Sequence, residues 1–226
     1  MSIDLSGRHV VITGGRGGLG GAVVEAFLAA GATCHLPERS GSPSPKANVL
    51  VIPGVDLTNE DAVRALYAGL PPLWASIHLA GGYAGKPFVD TSLADLRGQL
   101  DINLATAFLC CREAARRMTT GGRIVNVTSR AALVPASASG SLAYAASKAA
   151  VVSLTQGLAE ELRPHKILVN AVAPSTMDTP ANRAAMPKAD HSRWTRPAEV
   201  AQAILWLASP DNTATSGAVL PVYGDA

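Results

Sequence analysis

The chain has 226 residues, of which 48% are hydrophobic and 16% charged, and its formal net charge at pH 7 is +2. This length is sufficient for one large domain with a well-buried core, and the small net charge gives no reason to expect a nucleic-acid partner. The three cysteines are odd in number and lack metal-ligand spacing, so we expect free thiols, no metal site and a cytoplasmic location. The amino-terminal sequence does not resemble a signal peptide, and no apolar run reaches about 18 residues, so we expect no membrane association.

Short apolar segments that predict strands alternate along the chain with longer segments of helical periodicity. The predicted strands are 8–13, 32–37, 48–53, 74–80, 122–128, 166–171 and 217–221, and the predicted helices are 18–30, 59–69, 93–118, 142–162 and 197–208. Strands of this kind are typical of a parallel sheet with helices on both faces. The alternation therefore predicts a single α/β domain over residues 1–226, with a Rossmann-type, doubly wound architecture.

One irregular segment, residues 174–196, follows the sixth predicted strand and carries several prolines without a clear period. In an open α/β sheet, ligands bind beyond the carboxyl ends of the strands. A long connection at this point would overhang that edge, so we expect it to form a substrate lid. An ordinary surface excursion is the alternative.

A cluster of glycines lies at the turn between the first predicted strand and the first predicted helix, in the run Thr13-Gly14-Gly15-Arg16-Gly17-Gly18-Leu19-Gly20. Because glycine has no Cβ, the backbone can approach a ligand closely, and the start of the following helix favours an anion. A steric need for glycine alone is the alternative. The turn predicts a site for a dinucleotide pyrophosphate, formed by Gly14, Arg16, Gly18, Leu19 and Gly20.

The carboxyl end of the second predicted strand indicates which dinucleotide is bound. Glu38 lies there, about 20 residues after the glycines, where a carboxylate can bond the adenosine ribose hydroxyls and repel a 2′-phosphate. This position favours NAD. Arg39 and Arg16 favour the alternative, NADP, since either guanidinium is able to meet a 2′-phosphate.

Tyr144 and Lys148 are four residues apart in a helical segment and therefore lie on one helix face. An ammonium beside a phenol predicts a lowered phenol pKa, which would suit a general acid/base. Ser129 follows the fifth predicted strand, where its hydroxyl would hydrogen-bond a substrate carbonyl oxygen, and Thr128 is the competing hydroxyl. Asn103 stands within the long predicted helix, where a solvated side chain is the simplest interpretation.

Together these features resemble the short-chain dehydrogenase/reductase family over essentially the whole chain. The resemblance implies a seven-stranded parallel sheet in the order 3-2-1-4-5-6-7 and NAD(P)-dependent oxidoreduction of a carbonyl/alcohol pair. It also implies a homodimer or homotetramer packed through the helices 93–118 and 142–162. The matching motifs are Thr13-Gly14-x-x-x-Gly18-x-Gly20, Asn103, Ser129, Tyr144-x-x-x-Lys148 and Asn170-Ala171-Val172-Ala173-Pro174.

The resemblance also implies a role for each matching residue. Tyr144 would move a proton to or from the substrate oxygen, and Ser129 would orient the carbonyl. Lys148 would bind the nicotinamide ribose and lower the pKa of Tyr144, while Asn103 would hold a water in a proton relay. The hydride would pass between the nicotinamide and the substrate carbon. The other implied cofactor contacts are Asp56 at the adenine ring, Ala80, Gly81, Pro174, and Thr179 at the carboxamide.

Departures from the family pattern leave the substrate open. Where the family usually has Asn-Asn-Ala-Gly, this chain has His78-Leu79-Ala80-Gly81. Segments 14–20, 80–85 and 178–195 are similar to dihydropteridine reductase, which implies a pterin-like substrate as the alternative to a ketone or alcohol. A catalytically silent dinucleotide-binding regulator or scaffold is the rival from another class, and the intact Tyr144 argues against it.

For Asp56, a turn or helix-capping role is the alternative to an adenine contact.

Overall fold

The computed structural model describes residues 3–44 and 46–225 of the chain. Seven strands form one parallel sheet in the order β3-β2-β1-β4-β5-β6-β7, as the family resemblance implies. In chain order the strands are β1 (His9–Thr13), β2 (Thr33–Pro37), β3 (Val49–Ile52), β4 (Leu73–His78), β5 (Gly122–Val127), β6 (Ile167–Pro174) and β7 (Val219–Val222).

Helices connect the strands and cover both faces of the sheet. Asn59 caps the second helix, because its side chain accepts a hydrogen bond of 2.9 Å from the Ala62 amide. Ser92 and Asp95 form a capping box at the start of the third helix. The helices are α1 (Gly20–Ala29), α2 (Glu60–Ala68), α3 (Leu93–Leu100), α4 (Thr106–Arg117), α5 (Arg130–Leu133), α6 (Leu142–Glu161), α7 (Pro180–Ala185) and α8 (Pro197–Leu207).

The sheet separates two apolar cores, because successive side chains of a strand point to opposite faces. In β1, Val10 and Ile12 enter the core beneath α1 and α8, which contains Phe27 and Ile204. Val11, between them, enters the core beneath α2 and α4. Burial of both faces explains why the strands are nearly continuous apolar runs, and it leaves the edges of the sheet as the places for polar chemistry.

The predicted helix 93–118 differs most from the observed structure. It is interrupted by one π-helical turn, Asp101–Ala105, between α3 and α4. The four-residue helix α5 was not predicted, since so short a segment has no measurable periodicity. Strand β6 runs on to Pro174, so the irregular segment begins at residue 175.

Strand β4 ends at His78, two residues earlier than predicted. The amides of Leu79 and Ala80 both donate to the Thr13 hydroxyl oxygen at 3.1 Å, so the chain leaves the ladder to pack against the end of β1. This turn places the loop after β4 directly beside the glycine turn.

Within the described residues, no helix combines the length and hydrophobicity needed to cross a bilayer. In the same part of the chain, no group of three or more His, Cys, Asp or Glu side chains is arranged to hold a metal ion.

Candidate active site

The glycine turn after β1 is packed so tightly that two of its positions accept only glycine. Gly14 has a φ of +66°, and a Cβ there would lie 2.9 Å from the Ala80 amide nitrogen. A Cβ on Gly20 would lie 2.2 Å from the Gly14 carbonyl oxygen. The backbone of the turn therefore packs directly against the loop after β4. Helix α1 begins at Gly20, at the carboxyl edge of the sheet.

The segment after β6 rests on the same turn. A Cβ on Gly18 would lie 3.0 Å from the Thr179 methyl group, and the buried Thr179 caps α7 by accepting from the Asn182 amide. Pro174, the last residue of β6, is buried and pairs with Val222. The structure thus brings Gly18 and Thr179 into contact.

A cavity of about 220 Å³ opens beside the glycine turn, and Gly14, Glu38, Ala80 and Gly81 contribute to its walls. Glu38 Oε1 is buried and has no hydrogen-bond partner. Burial raises the pKa of Glu38, while the nearby Arg16 acts in the opposite direction. A buried acceptor without a partner is costly, so this oxygen is suited to receive a donor from a bound molecule.

The two arginines near this cavity are already engaged. Arg16 Nη2 donates to the Ser42 carbonyl at 2.6 Å, and Arg39 Nη2 lies 3.4 Å from Asp56 Oδ1. Asp56 Oδ1 also accepts from the amide and the hydroxyl of Thr58, at 3.0 and 2.7 Å. In this structure Asp56 closes a turn, which is the alternative role considered for it.

These features fit a dinucleotide. Gly14 lines the cavity and has no room for a Cβ, so only its backbone faces that space, and the unpartnered Glu38 oxygen lies at the end of β2. A glycine turn of this kind suits a pyrophosphate, and a carboxylate at this position suits ribose hydroxyls.

Tyr144 and Lys148 lie in the first two turns of α6, and burial shifts the pKa of both. Lys148 Nζ is buried and donates to the Val127 carbonyl at 2.9 Å, and burial lowers its pKa to about 8. Burial raises the pKa of Tyr144, and the neighbouring Ser129 hydroxyl partly offsets this. The direction is opposite to the sequence-based expectation, because the ammonium is directed at Val127 and desolvation disfavours the phenolate.

The structure distinguishes the two hydroxyls at the end of β5. Thr128 is buried, and its hydroxyl donates to the Lys148 carbonyl at 2.7 Å. Ser129 is half-buried and caps α5, where its oxygen accepts from the Ala131 amide at 3.2 Å. Since a capping hydroxyl accepts, its own proton remains available for a substrate oxygen. Thr128 is therefore a structural residue and Ser129 the candidate.

Asn103 lies within the π-helical turn and is not solvated, being only 1% exposed. Its Oδ1 accepts from the Gly82 amide at 3.0 Å, and its Nδ2 donates to the Gly82 carbonyl at 2.9 Å and to Ser147 Oγ at 3.1 Å. A Cβ on Gly81 would lie 2.5 Å from Asn103 Oδ1 and 3.3 Å from Lys148 Nζ. Asn103 therefore fixes the loop after β4 against α6, and π-turns are frequent at functional sites.

A buried chain of hydrogen bonds runs beneath these residues. His78 Nδ1 lies 2.8 Å from Asn126 Oδ1, and His78 Nε2 lies 2.8 Å from Ser76 Oγ. Tyr67 extends the chain at one end and Thr155, on α6, at the other. The sequence contained the signal for this network, because His78 and Asn126 are polar residues inside strands that are otherwise apolar.

Comparison with known proteins agrees with this geometry. A family model described as "Enoyl-(Acyl carrier protein) reductase" matches residues 14–224. Galactitol 2-dehydrogenase of Rhizobium johnstonii is 35% identical, with 96% of this chain and 94% of that protein covered. The cyclic-di-GMP-binding biofilm dispersal mediator protein of Escherichia coli is 32% identical, with 97% of each chain covered. The solved structure "ElxO with NADP Bound" is similar with a TM-score of 0.88 at 25% identity, covering 96% of this chain and 97% of that one.

The matches span nearly the whole chain, and the fold agrees with that of the solved structure. The chain belongs to the short-chain dehydrogenase/reductase family and is an NAD(P)-dependent oxidoreductase.

Proposed function

We propose that this enzyme transfers a hydride between a nicotinamide dinucleotide and the carbonyl/alcohol carbon of a small molecule, with Tyr144 as general acid/base. One observation carries the proposal: Tyr144, Ser129 and Lys148 converge at the sheet edge that also holds the glycine turn. This juxtaposition combines a proton donor, a carbonyl-orienting hydroxyl and a dinucleotide cradle.

Each side chain has a distinct task in the reduction. The Ser129 hydroxyl donates to the carbonyl oxygen and orients it. Tyr144 gives its proton to the same oxygen as negative charge develops there, since its phenol is protonated at neutral pH. When bound, the nicotinamide supplies the hydride to the carbon, and in the reverse reaction it accepts one.

The remaining predicted residues would hold the cofactor. Gly14, Arg16, Gly18, Leu19 and Gly20 would receive the pyrophosphate at the start of α1, where backbone N–H groups favour an anion. Lys148 has three N–H donors, of which one binds Val127, so the others remain for the nicotinamide ribose. Asn103 would hold a water for the proton relay. The further contacts in the proposal are Asp56, Ala80, Gly81, Pro174 and Thr179.

We also propose NAD as the preferred cofactor. The unpartnered Glu38 oxygen supports this, as does the engagement of Arg16 by Ser42 and of Arg39 by Asp56. NADP is the alternative, since the ElxO structure holds it.

Residues 175–196 are proposed as the substrate lid of the single domain. Met177 and Thr195 form a parallel bridge that joins the two ends of the segment, and Thr179 contacts the glycine turn. The segment is thus anchored at its base beside the site, as a lid requires.

The test of the proton-transfer role is Tyr144→Phe, with Tyr223→Phe as the matched control at the same sheet edge. NADH oxidation with a panel of ketones should fall at least about 100-fold in Tyr144→Phe and remain unchanged in the control, while NADH still binds. Equal turnover by Tyr144→Phe and the parent enzyme would refute the assignment.

Cofactor preference is tested by titrating NADH and NADPH into the parent enzyme and Glu38→Gln, with the exposed Glu25→Gln as control. We expect the parent to bind NADH more tightly and Glu38→Gln to narrow the difference, because the neutral amide no longer repels a 2′-phosphate. An unchanged or larger NADH preference in Glu38→Gln would contradict the role of Glu38.

The same tests also bear on two alternatives, a catalytically silent dinucleotide-binding regulator and an enzyme that acts on a pterin-like substrate. The E. coli relative, named for cyclic-di-GMP binding, favours the regulator as a second candidate. Binding of NADH without turnover of any substrate in a broad panel would support it. A pterin-like substrate receives no support from the matches described above, which favour the carbonyl/alcohol pair.

A homodimer or homotetramer in the cytoplasm completes the proposal. Leu93, Phe108 and Leu142 expose apolar side chains on α3, α4 and α6, the helices expected to pack between subunits. All three cysteines are free and buried, as is usual in a reducing compartment. Light scattering on the purified protein tests the oligomeric state, and fractionation of the source cells tests the cytoplasmic location.

A further inference from the structure

Tyr83 has no role among the residues discussed so far, yet it contacts Tyr144. It lies in the loop after β4, and its ring meets that of Tyr144 edge to face, with 5.0 Å between the ring centroids and 74° between the planes. Despite this contact, 68% of Tyr83 is exposed. An aromatic residue with one contact in the site and much of its surface in solvent is able to cover a flat molecule.

The Tyr83 ring occupies a slot that the neighbouring glycines leave open. A Cβ on Gly85 would lie 2.6 Å from the Tyr83 hydroxyl and 3.2 Å from the Gly140 carbonyl oxygen. The Lys86 amide donates to that carbonyl at 2.7 Å. The loop after β4 is thus joined to the loop before α6, and glycine at position 85 makes room for the ring.

The residue before Tyr83 is held equally firmly. Gly82 exchanges two hydrogen bonds with the Asn103 side chain, and a Cβ on Gly82 would lie 3.2 Å from Ile102 Cδ1. The backbone is therefore fixed to the π-helical turn on one side of Tyr83 and to the loop before α6 on the other.

We propose that Tyr83 positions Tyr144 and forms the wall of the substrate pocket that favours carbonyl compounds bearing a flat, unsaturated ring. This inference rests on the function proposed above. Edge-to-face contact limits rotation of the Tyr144 ring, and the exposed surface of Tyr83 gains contact area only when a planar group lies against it. The Tyr83 ring also adds to burial in raising the pKa of Tyr144.

The experiment compares acetophenone with cyclohexyl methyl ketone, which has a saturated ring of the same size. The variants are Tyr83→Leu, Tyr83→Phe and the matched control Phe88→Leu, which replaces an exposed aromatic residue of the same loop. In Tyr83→Leu, kcat/KM for acetophenone should fall about 3- to 10-fold more than for the saturated ketone, chiefly through KM. Tyr83→Phe and Phe88→Leu should retain the preference of the parent enzyme.

A second readout concerns Tyr144 alone and needs no turnover. NMR of ¹³Cζ-tyrosine should show a lower pKa for Tyr144 in Tyr83→Leu than in the parent, because removing the ring exposes the phenol. Equal losses for the two ketones, together with an unchanged Tyr144 titration, would overturn the proposal. If Tyr144→Phe remains inactive in that case, the proposed function stands; an active Tyr144→Phe would refute the function instead.

Discussion

The buried His78 should make the unfolding free energy of the protein fall steeply as the pH is lowered from 6.5 to 4. Its imidazole is 4% exposed, and burial lowers its pKa from 6.5 to about 4. The unfolded chain therefore binds a proton as the pH drops below about 6.5, before the folded protein does. The stabilisation is complete above that pH and is lost progressively down to pH 4.

The hydrogen-bond chain explains why the ring resists protonation. Thr155 donates to the Val151 carbonyl at 2.8 Å, so its oxygen accepts from Asn126 Nδ2. Asn126 Oδ1 then accepts from His78 Nδ1–H, which leaves His78 Nε2 as the acceptor for Ser76. A proton on Nε2 would place a charge in the core and abolish that acceptor.

The size of the effect follows from the two pKa values. At about 1.4 kcal/mol per pH unit, the fall from 6.5 to about 4 corresponds to a limiting loss of about 3 kcal/mol, or about 2.5 kcal/mol at pH 4.5. This is a large fraction of the stability of a typical domain. Burial also lowers the pKa of His35 to about 4, so the parent protein should lose more than the His78 share alone.

Urea unfolding between pH 7 and pH 4.5 tests this with His78→Asn, His35→Asn and the exposed His165→Asn as control. The loss of unfolding free energy over this range should be about 2.5 kcal/mol smaller in His78→Asn than in the control. The same pH dependence in His78→Asn and the parent, or an NMR titration of His78 near pH 6.5, would refute the reasoning.

Two further substitutions test the packing of the site. Gly20→Ala should weaken NADH binding at least about tenfold in a fluorescence titration, because its Cβ would lie 2.2 Å from the Gly14 carbonyl oxygen and overpacking costs about 1–3 kcal/mol. Gly21→Ala, whose Cβ meets nothing within 4 Å, should bind NADH normally, and equal affinities for the two variants would contradict this account. Asn103→Ala should lower the unfolding free energy by about 1–3 kcal/mol and speed hydrogen exchange at the Gly82 amide, and unchanged exchange there would show that Asn103 does not hold the loop.

The sequence predicted the parallel sheet and most element boundaries, because apolar runs and glycine turns are local signals. The strand order came from the family resemblance, since no local signal encodes which strands are neighbours. The sequence did not predict the interruption of helix 93–118. Asn103 is a poor helix former, but a single residue of this kind does not mark a π-helical turn. The side-chain amide of Asn103 reaches Gly82 because a π-helical turn holds one residue more than an α-helical turn. No local preference of the segment encodes this extra residue.

The pKa of Tyr144 is raised, opposite to the prediction from its spacing to Lys148, for a reason that applies to any four-residue spacing on a helix. Spacing brings two side chains to one face but does not decide where their charged ends point. Here the Lys148 ammonium donates to the Val127 carbonyl, and burial is the main cause of the raised pKa of the Tyr144 phenol. A raised pKa makes the phenol a weaker acid for reducing a carbonyl, while its phenolate, rarely formed at neutral pH, is the stronger base for oxidising an alcohol. We therefore expect proton transfer in either direction to be fastest when a bound dinucleotide draws the Lys148 ammonium toward the phenol and lowers the pKa of Tyr144.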